Sequence, residues 1–352
     1  MQNYLLHEWA RQEAVILAWP DEYTAWQPWL VEVEQVYLNL IHAINNNHCA
    51  VLLLIRPKKI SHFHALANKL PLPLQSVLLL KADFNDTWLR DYGFLTCQSD
   101  QGMQPVEFVF NGWGNKFPAE LDNQLNQQVL APLCRLPMQS FPMVCEGGAL
   151  EIDDNQHLLT TRLCLLNSER NGDMSLDNYN KKFTDYLGVK KITVFENGHL
   201  QGDDTDGHID TLVRFTPDKV LVVQSCNNRP EDQHFSGLSA LVEECRTQFP
   251  GYKIFELPLP EIVSAEGERL PASYANFLIN NTQILCPVYQ QPEDGQALAI
   301  IQKAYPGFEI VPIDCLPLVQ QFGSLHCISM QVPEGTLKEE VVQYFNRGVI
   351  EI

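Results

Sequence analysis

The sequence predicts an α/β fold in which helices and strands alternate, with about five helix-strand units sharing one domain, residues 1–352. Two observations lead there. Apolar residues recur at helical spacing in five stretches, and short β-rich runs lie between them.

In chain order, 14–19 (AVILAW) reads as a strand. Leu30, Val33, Tyr37, Leu40, Ile41 and Ile44 mark one face of a helix over 29–46, and Pro28 sits where a first turn tolerates a missing N–H. Strands at 50–55, 77–80 and 106–110 follow, then a helix near 121–135. Leu176, Tyr179, Phe183 and Leu187 mark a helix over 175–187, with strands after it at 191–195 and 219–224. The last helices, 236–249 and 293–305, alternate with strands at 284–288 and 310–313. Three helix exits read alike: DYLGVKKITVF at 185–195, QFPGYKIFEL at 248–257 and AYPGFEIVPI at 304–313. Each runs from an aromatic through one residue to a Gly at the helix stop, then into a strand. A repeat architecture and an ordinary α/β sheet with similar stop signals both fit this pattern.

With 352 residues, 45% hydrophobic and 19% charged, the chain can bury a large core, which excludes a disordered protein. Its 24 Lys+Arg against 43 Asp+Glu leave a formal charge of −19. That balance argues against nucleic acid and for cationic ligands. The longest apolar runs, such as AVLLLI at 50–55, fall far short of the ~20 residues that cross a bilayer, so no membrane span is expected. The N-terminal stretch lacks the basic leader and long apolar run of a signal peptide and reads as mature protein. Ten cysteines stand singly with no CxxC, which fits buried, reduced thiols in a cytoplasmic protein.

The densest polar cluster is DDTDGHIDTLVR, 203–214. If it is extended, Asp204, Asp206, His208 and Asp210 share a face, with Arg214 in the same parity. Such a set could hold a divalent metal, or pair His208 as acid/base with carboxylates that grip a cation; a solvated acidic loop fits equally. DTWLRDYGF at 86–94 places Trp88, Arg90 and Asp91 in an apolar setting, and NGWGNKF follows at 111–117. Trp-rich, Gly-punctuated loops with one Asp suit a pocket that stacks a flat group, although packing and turn roles fit too, and Arg90 suits a structural ion pair. EGGAL at 146–150 allows a tight turn beside Glu146, as a hairpin with an exposed Glu also would. In FGSLHCISMQVP, 322–333, a Gly-Ser turn leads into a short strand, so His326 and Cys327 should point to opposite faces. A nucleophilic Cys327 would then need a distant proton partner, for which His208 is the candidate, whereas a merely buried thiol is the alternative.

Taken together, Trp19-Pro20, DTWLRDYGF, FNGWGNKF, EGGALEID, DDTDGHID, LPASYANFLI and GSLHC resemble the agmatine deiminase and Porphyromonas-type peptidylarginine deiminase family, in this order and over nearly the whole chain. The resemblance implies a single-domain, five-bladed, pseudo-symmetric α/β propeller of pentein type, and a guanidine-modifying cysteine hydrolase without metal or other cofactor. By the same resemblance Cys327 is the nucleophile and His208 the acid/base. Asp91 and Asp210 are the guanidinium-gripping carboxylates, Glu146 orients His208, and Trp88 lines the pocket. The sequence departs from the family pattern at Phe94 (usually Pro), Asn115 (often Gly), Thr211 (usually Asn) and the FGS at 322–324, where a Gly triplet is common.

A guanidinium stays charged at neutral pH, so its hydrolysis needs carboxylates to hold the cation and a thiolate to attack the central carbon. The expected reaction is agmatine plus water to N-carbamoylputrescine plus ammonia. Deimination of arginine or peptidylarginine, a metal hydrolase built on residues 204–210, and a non-catalytic polyamine-binding module are the rival expectations. The expected partner is a small cationic guanidine, with neither nucleic acid nor membrane, and the chain is expected to form a homo-oligomer.

Overall fold

The computed structural model describes residues 3–352, and its strands form five small sheets of one recurring topology. In four of them a strand pairs antiparallel with its successor, and the successor pairs parallel with a third strand. These sets are Leu95–Ser99, Gly102–Val109 and Gln139–Val144; Glu151–Ile152, His157–Thr161 and Lys191–Phe195; Val213–Phe215, Val220–Gln224 and Lys253–Leu257; and Leu278–Asn280, Gln283–Val288 and Glu309–Asp314. An antiparallel step closes with a short turn, whereas a parallel step needs a crossover, and that is where the helices Leu176–Leu187, Phe235–Gln248 and Asp294–Ala304 lie.

The fifth sheet joins the chain ends. Gln12–Ala18 runs parallel to Ala50–Ile55 across the helix Leu30–Asn46, and Ser76–Lys81 and Gly348–Glu351 extend it. Its antiparallel place is filled by Met330–Pro333, from the far end of the chain. The first unit is thus completed by the last, which decides for the repeat over the ordinary sheet.

Most expected elements appear with bounds shifted by one or two residues. Of the three similar helix exits, Gly188 (φ 69°) and Gly251 (φ 89°) take the left-handed conformation that ends a helix, while Gly307 does not. The helix expected near 121–135 is broken into a turn at Asp122–Leu125, a π segment at Asn126–Leu130 and a 3-10 turn at Ala131–Leu133. Pro132 has no N–H for an α register, and the segment's polar side chains serve neighbouring loops: Asn123 accepts from the Phe110 amide and Asn126 donates to the Tyr92 carbonyl. The helix Ile60–Ala67 and several strands of two to six residues carry too few periods to be read from the sequence.

Apolar strands Ala14–Ala18 and Ala50–Ile55 are buried throughout, the core of the largest apolar cluster. All ten cysteines are free and buried. No helix among the described residues is long and apolar enough to cross a membrane.

The repeat also places the polar segments. A tight turn stands just before the first strand of each unit: Leu89–Tyr92, Gly147–Ala149, Ile209–Thr211, and the turns at 273–276 and 324–328. Asp91, Gly148, Asp210, Asn276 and Cys327 occupy those five turns. The topology therefore gathers segments spread over more than 230 positions into one place, as the contacts below record.

Candidate active site

Cys327 is buried, with Sγ 3.3 Å from Asn276 Oδ1 and 3.8 Å from Asp210 Oδ2. Asp210 Oδ2 also takes a hydrogen bond from Asn276 Nδ2 at 3.2 Å and lies 2.7 Å from His326 Nδ1, whereas its Oδ1 has no protein partner. The second carboxylate, Asp91, accepts from Trp113 Nε1 at 2.9 Å and from the Gly148 amide at 3.0 Å. His208 Nδ1 is 3.5 Å from Asp91 Oδ1, and its Nε2 is buried without a partner. Two carboxylates and an imidazole meet around Gly148, where a Cβ would fall 2.6 Å from His208 Nδ1, 2.7 Å from Asp91 Oδ1 and 3.2 Å from Asp210 Oδ2. No residue but glycine leaves room there.

A cavity of about 110 Å³ opens over Asp91 and Cys327, with Asp210 and His208 behind its lining. Trp88, Trp113, Phe117 and Phe322 form apolar walls, with Asp86 and Asp204 among the lining residues and no Lys or Arg. Trp88 is held against Trp26 at a 5.3 Å centroid distance and lies so close to Gly323 that a Cβ there would be 2.2 Å from its ring. Trp113 reaches Asp91 from a left-handed backbone (φ 56°), a rare conformation for a bulky residue, framed by Gly112 and Gly114. Two of the departures from the family pattern, Asn115 (φ 62°) and Phe322 (φ 66°), keep the left-handed backbone that glycine readily adopts.

Burial dominates the electrostatics of the empty pocket. It pushes the Cys327 thiol well above its usual range, with the Asp210 and Asp91 charges acting in the same sense. It raises Asp91 well above the carboxylate range, aided by the charge of Asp210. Burial would raise Asp210 too, but the hydrogen bond and charge of His326 hold it below its ordinary value. His208 is pushed down to about 3 by burial, against the pull of Asp210. The thiol and the imidazole are therefore held neutral, and a cation placed between the carboxylates would favour the charged forms of Asp91 and Cys327.

Several sequence expectations change. Segment 203–214 is not extended: bends and a 3-10 turn at Ile209–Thr211 precede a strand of three residues, so alternation does not set the faces. Asp206 turns away to Arg170 (2.7 Å), Lys116 (2.8 Å) and Asn167 (2.8 Å). The three acids and the histidine expected as a metal set, Asp204, Asp206, Asp210 and His208, do not converge. Among the described residues, Glu146, Cys164 and His208 bring three ligand-type atoms within 4.8 Å, but both Glu146 oxygens already accept from Arg170 Nε, at 2.8 and 3.0 Å. Glu146 is thus buried, not an exposed hairpin residue, and its hydrogen bonds go to Arg170. Arg214 is no clamp for a substrate, since Glu151, Glu8 and two backbone carbonyls consume it. Arg90 is likewise bound to Glu8, Gln331 and the His326 carbonyl. The strand after Cys327 starts only at Met330; His326 and Cys327 sit in the preceding turn and both face the same Asp210 carboxylate.

Sequence reasoning missed Asn276, Trp113, Arg170, His326 and Glu8 as parts of this assembly. Asn276 lay inside the noted LPASYANFLI segment and Trp113 inside NGWGNKF, so the signal existed for those two. Glu8 and Arg170 had none.

The chain matches the family described as Porphyromonas-type peptidyl-arginine deiminase over residues 4–333. A Shewanella baltica protein named "Putative agmatine deiminase" is 29% identical, with 94% of each chain covered. The substrate-bound agmatine deiminase of C. jejuni is 31% identical and superimposes with a TM-score of 0.87, covering 96% of this chain and 97% of that one. The agmatine deiminase of Enterococcus faecalis, at 23% identity, shares the fold with a TM-score of 0.85 over 95% of this chain and 97% of that one.

Proposed function

From the premise that this chain belongs to the Porphyromonas-type peptidyl-arginine deiminase family, we propose that it hydrolyses agmatine to N-carbamoylputrescine and ammonia through a covalent adduct on Cys327. The reading rests on one observation above all: Cys327 Sγ lies beside Asp210, whose Oδ1 is unpartnered, and Cys327 lines one cavity with a second carboxylate, Asp91.

A planar guanidinium between Asp91 and Asp210 donates N–H bonds to both and is held with one face of its carbon toward the thiol. The cation stabilises both carboxylates in their ionised form and favours the thiolate. His208, held neutral by burial, takes the thiol proton as sulfur bonds to carbon, then gives it to the departing nitrogen, which leaves as ammonia. The cation is now an S-alkylthiouronium. Neutral again, His208 takes a proton from water as its oxygen bonds to the carbon; the C–S bond breaks, His208 returns that proton to sulfur, and the remaining hydroxyl proton passes to solvent, where ammonia ends as ammonium, leaving the neutral ureido product. Glu146, fixed by Arg170, stands within 4.8 Å of His208 and in this reading limits how the ring can move.

The lining favours agmatine over arginine. Asp86 and Asp204 are each pushed up to about 6, mainly by burial, and no cationic side chain lines the cavity to meet an α-carboxylate. An uncompensated buried charge costs about 3–5 kcal/mol, so arginine should be poorer by at least about a hundredfold. The test compares ammonia release from agmatine, arginine and benzoyl-arginine amide at equal concentration. Equal or faster turnover of arginine rejects the agmatine assignment.

A further inference from the structure

Behind the carboxylate that faces the substrate stands a second row of charges that the hydrolysis above does not use. His326 is fully buried, with Nδ1 2.7 Å from Asp210 Oδ2 and Nε2 2.6 Å from Glu8 Oε1. The Glu8 carboxylate also takes Arg214 Nη2 at 2.6 Å, Gln331 Nε2 at 3.1 Å and Arg90 Nη1 at 3.3 Å. Arg214 is held in turn by Glu151 Oε2 at 2.9 Å. Neither Glu8 nor His326 lines the cavity over Cys327.

We infer that Glu8 and His326 are positioning residues for Asp210: His326, anchored by Glu8, occupies one oxygen of Asp210 and so aims the other at the guanidinium. This rests on the reading of Asp210 as a substrate carboxylate. Ionised carboxylates only accept hydrogen bonds, so a ring with one on each nitrogen donates from both and carries a positive charge. His326, Arg90 and Arg214 then face the buried Glu8 and Asp210 carboxylates, with Glu151 on Arg214, so neither carboxylate is left without a cationic partner. The choice of imidazole follows from the geometry. A guanidinium in its place would donate in a fork and cover both Asp210 oxygens, whereas the ring donates one bond and leaves Oδ1 free. Asn276 completes the hold, with Nδ2 on Asp210 Oδ2 and Oδ1 on the Cys327 thiol, so the orientation of Asp210 and that of the nucleophile are tied together.

The experiment measures agmatine binding by calorimetry in full-length Cys327→Ser protein, which removes turnover from the readout. His326→Asn puts an amide nitrogen near the former Nδ1 and can still reach Asp210; His326→Gln puts one near the former Nε2 and reaches Glu8 only. The loss of one charge-assisted bond corresponds to at least about tenfold, so His326→Gln should weaken binding by that factor while His326→Asn stays within about threefold of the parent. Both should show similar melting temperatures, since each leaves one buried contact unmade. Equal weakening in the two variants, or a greater loss in His326→Asn, overturns the inference. If the parent binds arginine instead of agmatine, the substrate assignment fails and the same series run with arginine decides the inference on the same criterion. If the parent binds neither, Asp210 is not a substrate carboxylate and the inference falls. Should the two variants not fold, nitrogen-edited spectra of the wild-type protein decide: His326 is expected to carry a proton on both ring nitrogens, and a bare nitrogen rejects the arrangement.

Discussion

Cys327 shares the molecule with nine other buried thiols, and what separates it from them is a pocket and two carboxylates. Cys327→Ser should fold, bind agmatine and release no ammonia, because an alkoxide is far harder to form than a thiolate. A haloacetamidine should label Cys327 first, with substrate protecting it; inactivation through another cysteine would reject its role. Asp91→Asn and Asp210→Asn each present N–H groups to a cation and lose a charge partner, so kcat/KM should fall by at least about a hundredfold in each. Near-normal kinetics in either variant removes that residue from contact with the substrate. His208 makes a stability prediction. Its folded value of about 3 lies below the ordinary value of 6.5, so between these pH values the unfolded chain binds a proton that the folded one refuses. Stability present above pH 6.5 is lost as pH falls toward 3, by up to about 5 kcal/mol. His208→Asn should flatten the acid limb of a plot of urea midpoint against pH, and an unchanged limb would mean that His208 is not buried neutral.

The elements that build the site are turns, and their glycines differ in what they permit. Gly148→Ala drives a methyl between His208 and Asp91, and overpacking of this kind costs about 1–3 kcal/mol while displacing both reacting groups. A drop in kcat/KM of about a hundredfold is expected from such a displacement, together with a lower melting temperature; unchanged kinetics would mean that the turn yields. Phe322 presents the opposite case. It holds a left-handed backbone that costs a non-glycine residue about 1–2 kcal/mol, and it forms part of the cavity wall. Phe322→Gly relieves that strain while losing apolar contact, so its net loss should stay below about 1 kcal/mol, against about 3–5 for an ordinary core Phe truncation. A urea midpoint corresponding to a loss above the lower of those figures would exclude strain at this position.

At the scale of the whole molecule, charge and closure matter most. A formal charge of −19 attracts a cationic substrate over a distance that salt screens, within about 8 Å at physiological ionic strength. Raising salt from low to moderate ionic strength should lower kcat/KM for agmatine and leave kcat nearly constant. A salt-independent kcat/KM would mean that only the local carboxylates act on the substrate. Closure explains why the site exists at all: Met330–Pro333 pairs with Gln12–Ala18, and that pairing draws the 324–328 turn with Cys327 back toward the N-terminal Glu8.

The sequence by itself determined the α/β class, four of the five expected helices to within a residue or two, and the segments that hold the chemistry. Those features depend on local periodicity and on which side chains can grip a cation or attack a carbon, and both are written in short stretches. Only the tertiary structure decided which side chains meet. Glu8 and His326 are 318 positions apart, Asp210 and Cys327 are 117, and Asn276 gains its place by bonding across two further turns. Alternation failed at 203–214 because a 3-10 turn, unlike a strand, does not send successive residues to opposite faces. It failed at His326 and Cys327 because a turn of the same kind of tightness faces both toward Asp210. The state of each acid and base was beyond the sequence for the same reason: burial and facing charges shift them, and both are set by contacts between distant units.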